Sequence, residues 1–161
     1  MPLRGLAEFI SPFAASVVDF KPGSELTTHQ VAGAALGPII CYEIINDQLV
    51  AEMSSNSDAL IIQTNSATFA GTSESRQQLA ITRVRALEYS RSVLSVSTIG
   101  ISAFINSNGE VTQITPENIQ TSLTGDLILS DHATFASKWG GAVKIAVLLF
   151  FLILGRKRVS E

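Results

Sequence analysis

The chain has 161 residues, 46% of them hydrophobic, a formal net charge of −3 and a single cysteine. That length suits one domain with a real core, and the charge balance offers no basic field for nucleic acid. One cysteine excludes an internal disulfide and a cysteine-rich zinc site. His29 and His132 lie far apart without ligand spacing, so neither a metal nor a cofactor is expected.

Met1-Pro2-Leu3-Arg4-Gly5 lacks an apolar run after a basic start and does not read as a signal peptide. Leu3 to Val18 reads as a short helix broken at Pro12 or as a covering loop, and Asp19 to Thr28 as a loop around Pro22-Gly23. Val31 to Leu36 is small and apolar, a predicted strand. Gly37-Pro38 opens a second short strand, Ile39-Ile40, and Cys41 ends it. A helix is predicted from Ile44 to Met53, with Ile45, Leu49 and Met53 as its core stripe. Ala59 to Gln63 is a short apolar run of the kind a fully buried strand shows, followed by the polar loop Thr64-Asn65-Ser66.

Thr72 or Ser73 can cap the next helix, which carries Glu74 in its first turn and runs to about Arg91. Its predicted buried stripe is Ala80, Val84 and Leu87. Arg76, Arg83, Arg85 and Glu88 are read mostly as its solvated face, the alternative for some of them being pairing with acidic groups at the cleft, as structure rather than catalysis. Ser92 to Ser97 and Ile101 to Ile105 are strands. Asn106-Ser107-Asn108-Gly109 is a hairpin signal, and Glu110 to Ile114 returns as its partner. A last strand is predicted within Ser122 to Leu129. Strands alternating with helices, then a strand hairpin, give an α/β or layered α+β domain.

Ala142 to Leu154 reads AVKIAVLLFFLIL, with Lys144 its one charge. Extended from Trp139 to Gly155, a helix here would be roughly 25 Å long. Trp139 is placed like an interfacial aromatic, Lys144 can snorkel, and Arg156-Lys157-Arg158 forms a basic flank of the cytoplasmic type. The alternative, a core helix, needs a partner to bury an unbroken apolar surface, and no later segment supplies one. The expected organisation is a domain over residues 1–135 on the outer side of a cell membrane, a span over 136–155 and a cytoplasmic tail over 156–161.

A lone cysteine is usually a small buried hydrophobe. Cys41 is set apart by its position at a strand-to-helix junction, where rigid elements hold a side chain toward a cleft. Asn65 and Phe69 are expected to line that cleft, although an Asn after a strand is as often a turn residue.

Four stretches carry a family resemblance: Ile40-Cys41-Tyr42-Glu43-Ile44, Thr64-Asn65-Ser66-Ala67-Thr68-Phe69, Arg83-Val84-Arg85-Ala86-Leu87-Glu88 and Gly100-Ile101-Ser102-Ala103. In order and spacing they resemble the apolipoprotein N-acyltransferases, the membrane branch of the nitrilase-like carbon-nitrogen hydrolase superfamily, with an actinobacterial-like Asn-Ser-Ala-Thr-Phe stretch. The resemblance implies part of an αββα sandwich followed by one C-terminal transmembrane helix. It implies Cys41 as the nucleophile, Glu43 as a supporting carboxylate and Tyr42 beside the cleft. It also implies a phospholipid as acyl donor and a diacylated apolipoprotein as acceptor. The family's general-base Glu, its oxyanion Lys and a Phe-Gly-Glu motif map upstream of Met1, so a C-terminal portion is expected, incomplete by itself. Two other readings stay open: a non-catalytic remnant or accessory membrane protein, and an amidase or nitrilase acting on a small amide.

Overall fold

The computed structural model describes residue 9 and residues 23–159. The helix or loop expected over Leu3 to Val18 lies outside that range, residue 9 apart. The described residues form one six-stranded sheet in the order β1-β2-β3-β4-β5-β6. The strands are β1 His29–Val31, β2 Ala34–Ile40, β3 Ala59–Thr64, β4 Ser92–Ser97, β5 Ala103–Ile105 and β6 Val111–Ile114. The helices are α1 Asp47–Ser55, α2 Glu74–Tyr89 and α3 Phe135–Val159, with short 3-10 helices at Cys41–Ile45 and Ala67–Phe69. The central strands β2, β3 and β4 run parallel, and the outer pairs are antiparallel. Parallel neighbours need crossovers, which α1 and α2 supply.

The first sheet residues differ from the sequence expectation. Val31 to Leu36 is not one strand but a hairpin. Ala32 and Gly33 take φ of 50° and 85°, the paired left-handed turn that joins two antiparallel strands tightly. Nor does Gly37-Pro38 open a strand; β2 runs straight through it. Proline is tolerated because β1 pairs only with residues 34–36, so among the described residues the strand has a neighbour on one side alone at Pro38.

The core lies between the sheet and the two crossover helices. Ile39, Leu60, Ile62, Val93, Ala103 and Ile105 share one sheet face and meet Ile44, Val50, Met53, Ala86 and Tyr89. The register explains the sharing: Leu60 lies opposite Val93, which lies opposite Ile105, and side chains at matched positions point the same way. Gly37 sits on that face beneath α1. A Cβ there would fall 2.7 Å from both Met53 Cγ and Ser57 Oγ, so its missing side chain sets how closely the helix approaches.

Helix α1 buries Met53 and half-buries Leu49 as expected, whereas α2 buries a face other than the expected one. The helix predicted from Ile44 starts at Asp47, because Asn46 caps it with Oδ1 accepting from Leu49 N at 3.2 Å. Its buried residues are Val50, Met53 and Ser54, while Ile45 falls in the preceding turn and is exposed. In α2 the buried face is Glu74, Thr82, Ala86 and Tyr89, and Val84 and Leu87 face outward. Small residues win because the helix lies close to the sheet, and Thr82 satisfies its hydroxyl within the helix on Gln78 O. The strand expected within Ser122 to Leu129 does not form either. That stretch is irregular and mostly exposed. It leaves β6 at one edge and reaches Asp58, whose carbonyl accepts from Ser130 N at 3.1 Å. Crossing three inter-strand spacings, about 14 Å, the chain cannot also pair along one strand. Gly125 meets Gln113 and Phe104 on the face opposite the helices during that crossing.

Helix α3 contains the single stretch among the described residues long and apolar enough to cross a membrane, Phe135–Arg156, with mean hydropathy 1.8 and none of it buried. Its start is fixed by Thr134, whose hydroxyl donates to Glu88 O at 2.7 Å and accepts from Ser137 N at 3.1 Å.

Candidate active site

Cys41 is the first residue past β2 and takes φ of 49°. A non-glycine residue in the left-handed region is strained, and such residues gather where a side chain must be aimed. The next few residues hold the strain in place. Cys41–Ile45 coils into a 3-10 helix, and Glu43 folds back so that its carboxylate accepts from Ile40 N at 2.8 Å. Ile44, 1% exposed, pins the turn into the core. Asn46 N donates to Glu43 O at 2.9 Å and ends it. The thiol is left partly exposed.

The turn is also held from α2. Arg85 Nε donates to Ile44 O at 2.9 Å and Nη2 to Ile45 O at 3.3 Å. The same guanidinium pairs with Glu88 at 2.6 Å and Asp47 at 2.5 Å, and the side chain is 11% exposed. Burial alone would pull the Arg85 pKa down; the hydrogen bonds and charges of Glu88 and Asp47 outweigh it and hold the pKa above its usual value. The sequence reading expects pairing with acidic groups on this helix, and for Arg85 the pairing is present; the burial is what differs, because the same reading places Arg85 mostly on the solvated face. The signal against that is its spacing, one turn from Thr82 and next to Ala86, both fully buried. Asp47 also bonds Lys144 of α3, which ties the apolar helix to the element after the cysteine turn.

Cys41 leaves the sheet at the carboxyl end of the parallel strands, as do Asn65 after β3 and Thr98 after β4. That edge is where open α/β sheets bind ligands. Asn65 Oδ1 accepts from Ala67 N at 3.2 Å and Thr98 Oγ1 at 2.9 Å, so it braces the loop between two strand ends. Phe69, 43% exposed, ends the 3-10 helix of that loop. Tyr42 is 55% exposed and lines a small cavity between the cysteine turn and α2. An open polar groove of about 510 Å³ lies beyond β4, lined by Thr98, Gly100, Thr115 and Asn118 among others. Among the described residues no group of three His, Cys, Asp or Glu could hold a metal ion.

The carbon-nitrogen hydrolase family model matches residues 8–136. The chain is 32% identical over 137 residues to the apolipoprotein N-acyltransferase of Coxiella burnetii, covering 84% of this chain and 28% of that protein. It is 32% identical over 150 residues to the apolipoprotein N-acyltransferase of Mycolicibacterium smegmatis, covering 92% and 25%. The chain therefore spans about a quarter of these relatives' length. In fold it is similar to Nit3 of Saccharomyces cerevisiae, a member of branch 10 of the nitrilase superfamily, with a TM-score of 0.52 at 19% identity, over 62% of this chain and 40% of that one. The family model takes in the whole sheet, both crossover helices and the Cys41 turn, and on that match the chain belongs to the carbon-nitrogen hydrolase family.

Proposed function

We propose that this chain carries the nucleophile-bearing part of an apolipoprotein N-acyltransferase. Cys41 attacks the ester carbonyl of a membrane phospholipid and holds the acyl chain as a thioester. The free α-amino group of a diacylated lipoprotein's N-terminal cysteine then takes it as an amide. A thiolate suits both steps, being a strong nucleophile and leaving a reactive thioester. Glu43 is a positioning residue, because its carboxylate holds the backbone N–H just before the cysteine. Tyr42, Asn65 and Phe69 line the approach. We assign the general base and the oxyanion donor to no described residue of this chain.

In this reading residues 1–135 belong to the hydrolase-like domain and lie outside the cytoplasm. Residues 136–155 cross the cell membrane, and the basic residues 156–161 remain in the cytoplasm. The 22 apolar-window residues of α3 span about 33 Å as a helix, enough for a hydrocarbon core of about 30 Å. The span brings the domain to the surface where a phospholipid donor resides.

The observation that carries the proposal is the left-handed Cys41 at the carboxyl edge of the sheet, in a chain 32% identical to proteins of that name. The test is mass spectrometry of the chain, supplied with the upstream part of a family member that carries the general base and the oxyanion Lys, after incubation in phospholipid vesicles. The expected result is one acyl chain on Cys41 as a hydroxylamine-labile adduct, absent in Cys41→Ala. A folded, inserted protein with no adduct would overturn the reading. Turnover of small amides in its place would favour an amidase.

A further inference from the structure

We propose that Glu74, and the small cavity it lines, receive the protonated primary amine of the acyl acceptor. This rests on the reading of Cys41 as the acyl carrier and assigns the part of the site that reading leaves open. Glu74 is 8% exposed, and among the described residues neither carboxylate oxygen has a hydrogen-bond partner. A buried carboxylate without donors is unfavourable unless something supplies charge or N–H groups. A carboxylate in the first turn of a helix usually serves that helix's free N–H groups. Glu74 does not: its own N–H is bonded to Thr72 Oγ1 at 3.2 Å, and its oxygens take no other.

The cavity has room for one compact group. Its volume is about 30 Å³, above the roughly 10–15 Å³ that one buried water needs, so a compact polar head such as an ammonium fits. Ile44, Ile45 and Ile81 form apolar walls, and Tyr42 lies at the cysteine side. Gln78 also lines it; its amide nitrogen donates to Thr64 Oγ1, which leaves the carbonyl end to accept. An ammonium has three donors and no acceptor, and the two Glu74 oxygens and the Gln78 carbonyl match that demand. Among the described residues no Lys or Arg lines the cavity. Tyr42 is the residue directly after Cys41, which places the amine beside the turn that bears the thioester.

Atoms and protons balance through the step. Glu74 takes one proton from the ammonium, leaving a neutral amine. The nitrogen lone pair attacks the thioester carbonyl, the C–N bond forms and the C–S bond breaks. The second nitrogen proton goes to the departing sulfur, which regenerates the Cys41 thiol, and Glu74 returns its proton to water.

The experiment uses the full chain, supplied with the same upstream part of a family member, in phospholipid vesicles, with p-nitrophenyl octanoate as acyl donor and glycinamide as amine. Release of p-nitrophenolate reads acylation of Cys41, and mass spectrometry reads the ratio of N-octanoyl glycinamide to octanoate. For Glu74→Gln the expected result is an amide-to-acid ratio lowered roughly tenfold, the scale of one hydrogen bond to a charged group, with the first-turnover burst of p-nitrophenolate, which precedes the amine step, still present. Glu74→Asp restores part of it. Hydroxylamine, uncharged at neutral pH, partitions equally in all three proteins. An unchanged glycinamide ratio in a protein that still acylates overturns the inference and leaves the Cys41 reading standing. So does a loss of p-nitrophenolate release and of thermal stability together in both variants, which marks a structural carboxylate. Absence of acylation in the unaltered chain overturns the Cys41 reading, and this inference with it.

Discussion

At the scale of single residues, the site is built by side chains that hold backbone. Glu43 accepts from Ile40 N, and Arg85 donates to Ile44 O and Ile45 O. Between them they fix both ends of the turn that begins with the strained Cys41. Glu43→Ala leaves the Ile40 N–H without its charged acceptor. Because that group is exposed, water replaces the bond, and the expected loss of stability is about 1 kcal/mol. The more telling readout is the rate of Cys41 alkylation by iodoacetamide at one fixed pH, which changes when the turn relaxes. Arg85→Met has the larger effect. It strips the turn of two donors and leaves Glu88, 27% exposed, without this partner, an expected cost of about 2 to 3 kcal/mol, measured by urea unfolding. Arg85→Lys recovers little, since an ammonium cannot serve carbonyls and two carboxylates in the planar fork that a guanidinium presents.

At the scale of elements, the sequence read best where one force acted alone. Ala59–Thr64 and Ser92–Ser97 are central strands, apolar enough to have no other place, and both were found nearly to the residue. The Asn106 to Gly109 turn was legible because Gly109 needs its φ of 75°, and because Arg83 O would lie 2.7 Å from a Cβ there. Faces of helices were not legible. Val84 and Leu87 are the more apolar choice in α2, yet close approach to the sheet selected Thr82 and Ala86, and that distance is a tertiary fact. The candidate site divided in the same way. Cys41 could be singled out as a strand-end thiol, whereas the Arg85 clamp depends on residues about 40 positions apart. Gly37 tests the approach argument directly. Gly37→Ala pushes a methyl group into Met53 and Ser57, and overpacking of this kind is expected to cost about 1 to 3 kcal/mol. Met53→Ala in the same chain opens the space and recovers part of the loss; a thermal unfolding series on the single and double variants reads the coupling.

At the scale of the whole molecule, one acidic residue joins the apolar helix to the cysteine turn. Asp47 bonds Lys144 of α3 on one side and Arg85 on the other, and α3 is otherwise tied to the domain through Thr134. Lys144 first and Arg85 second hold the Asp47 carboxyl below its ordinary pKa. A carboxyl with a lower pKa folded than unfolded binds fewer protons in the folded state. Its contribution is therefore complete above the unfolded value of about 3.9 and drains away as pH falls through the lower, folded value. The pair is largely exposed, with Asp47 and Lys144 side chains 51% and 61% accessible, so the effect is no more than about 1 kcal/mol and weakens in salt. Asp47→Asn should consequently lower the unfolding temperature by a steady margin from about pH 8 to about pH 5. That margin should shrink below about pH 4, as the unaltered protein loses the same charge. Raising the salt concentration should narrow the gap at neutral pH. A gap that stays the same at every pH would mean that Asp47 acts by packing, and that the link from α3 to the turn carries no charge term.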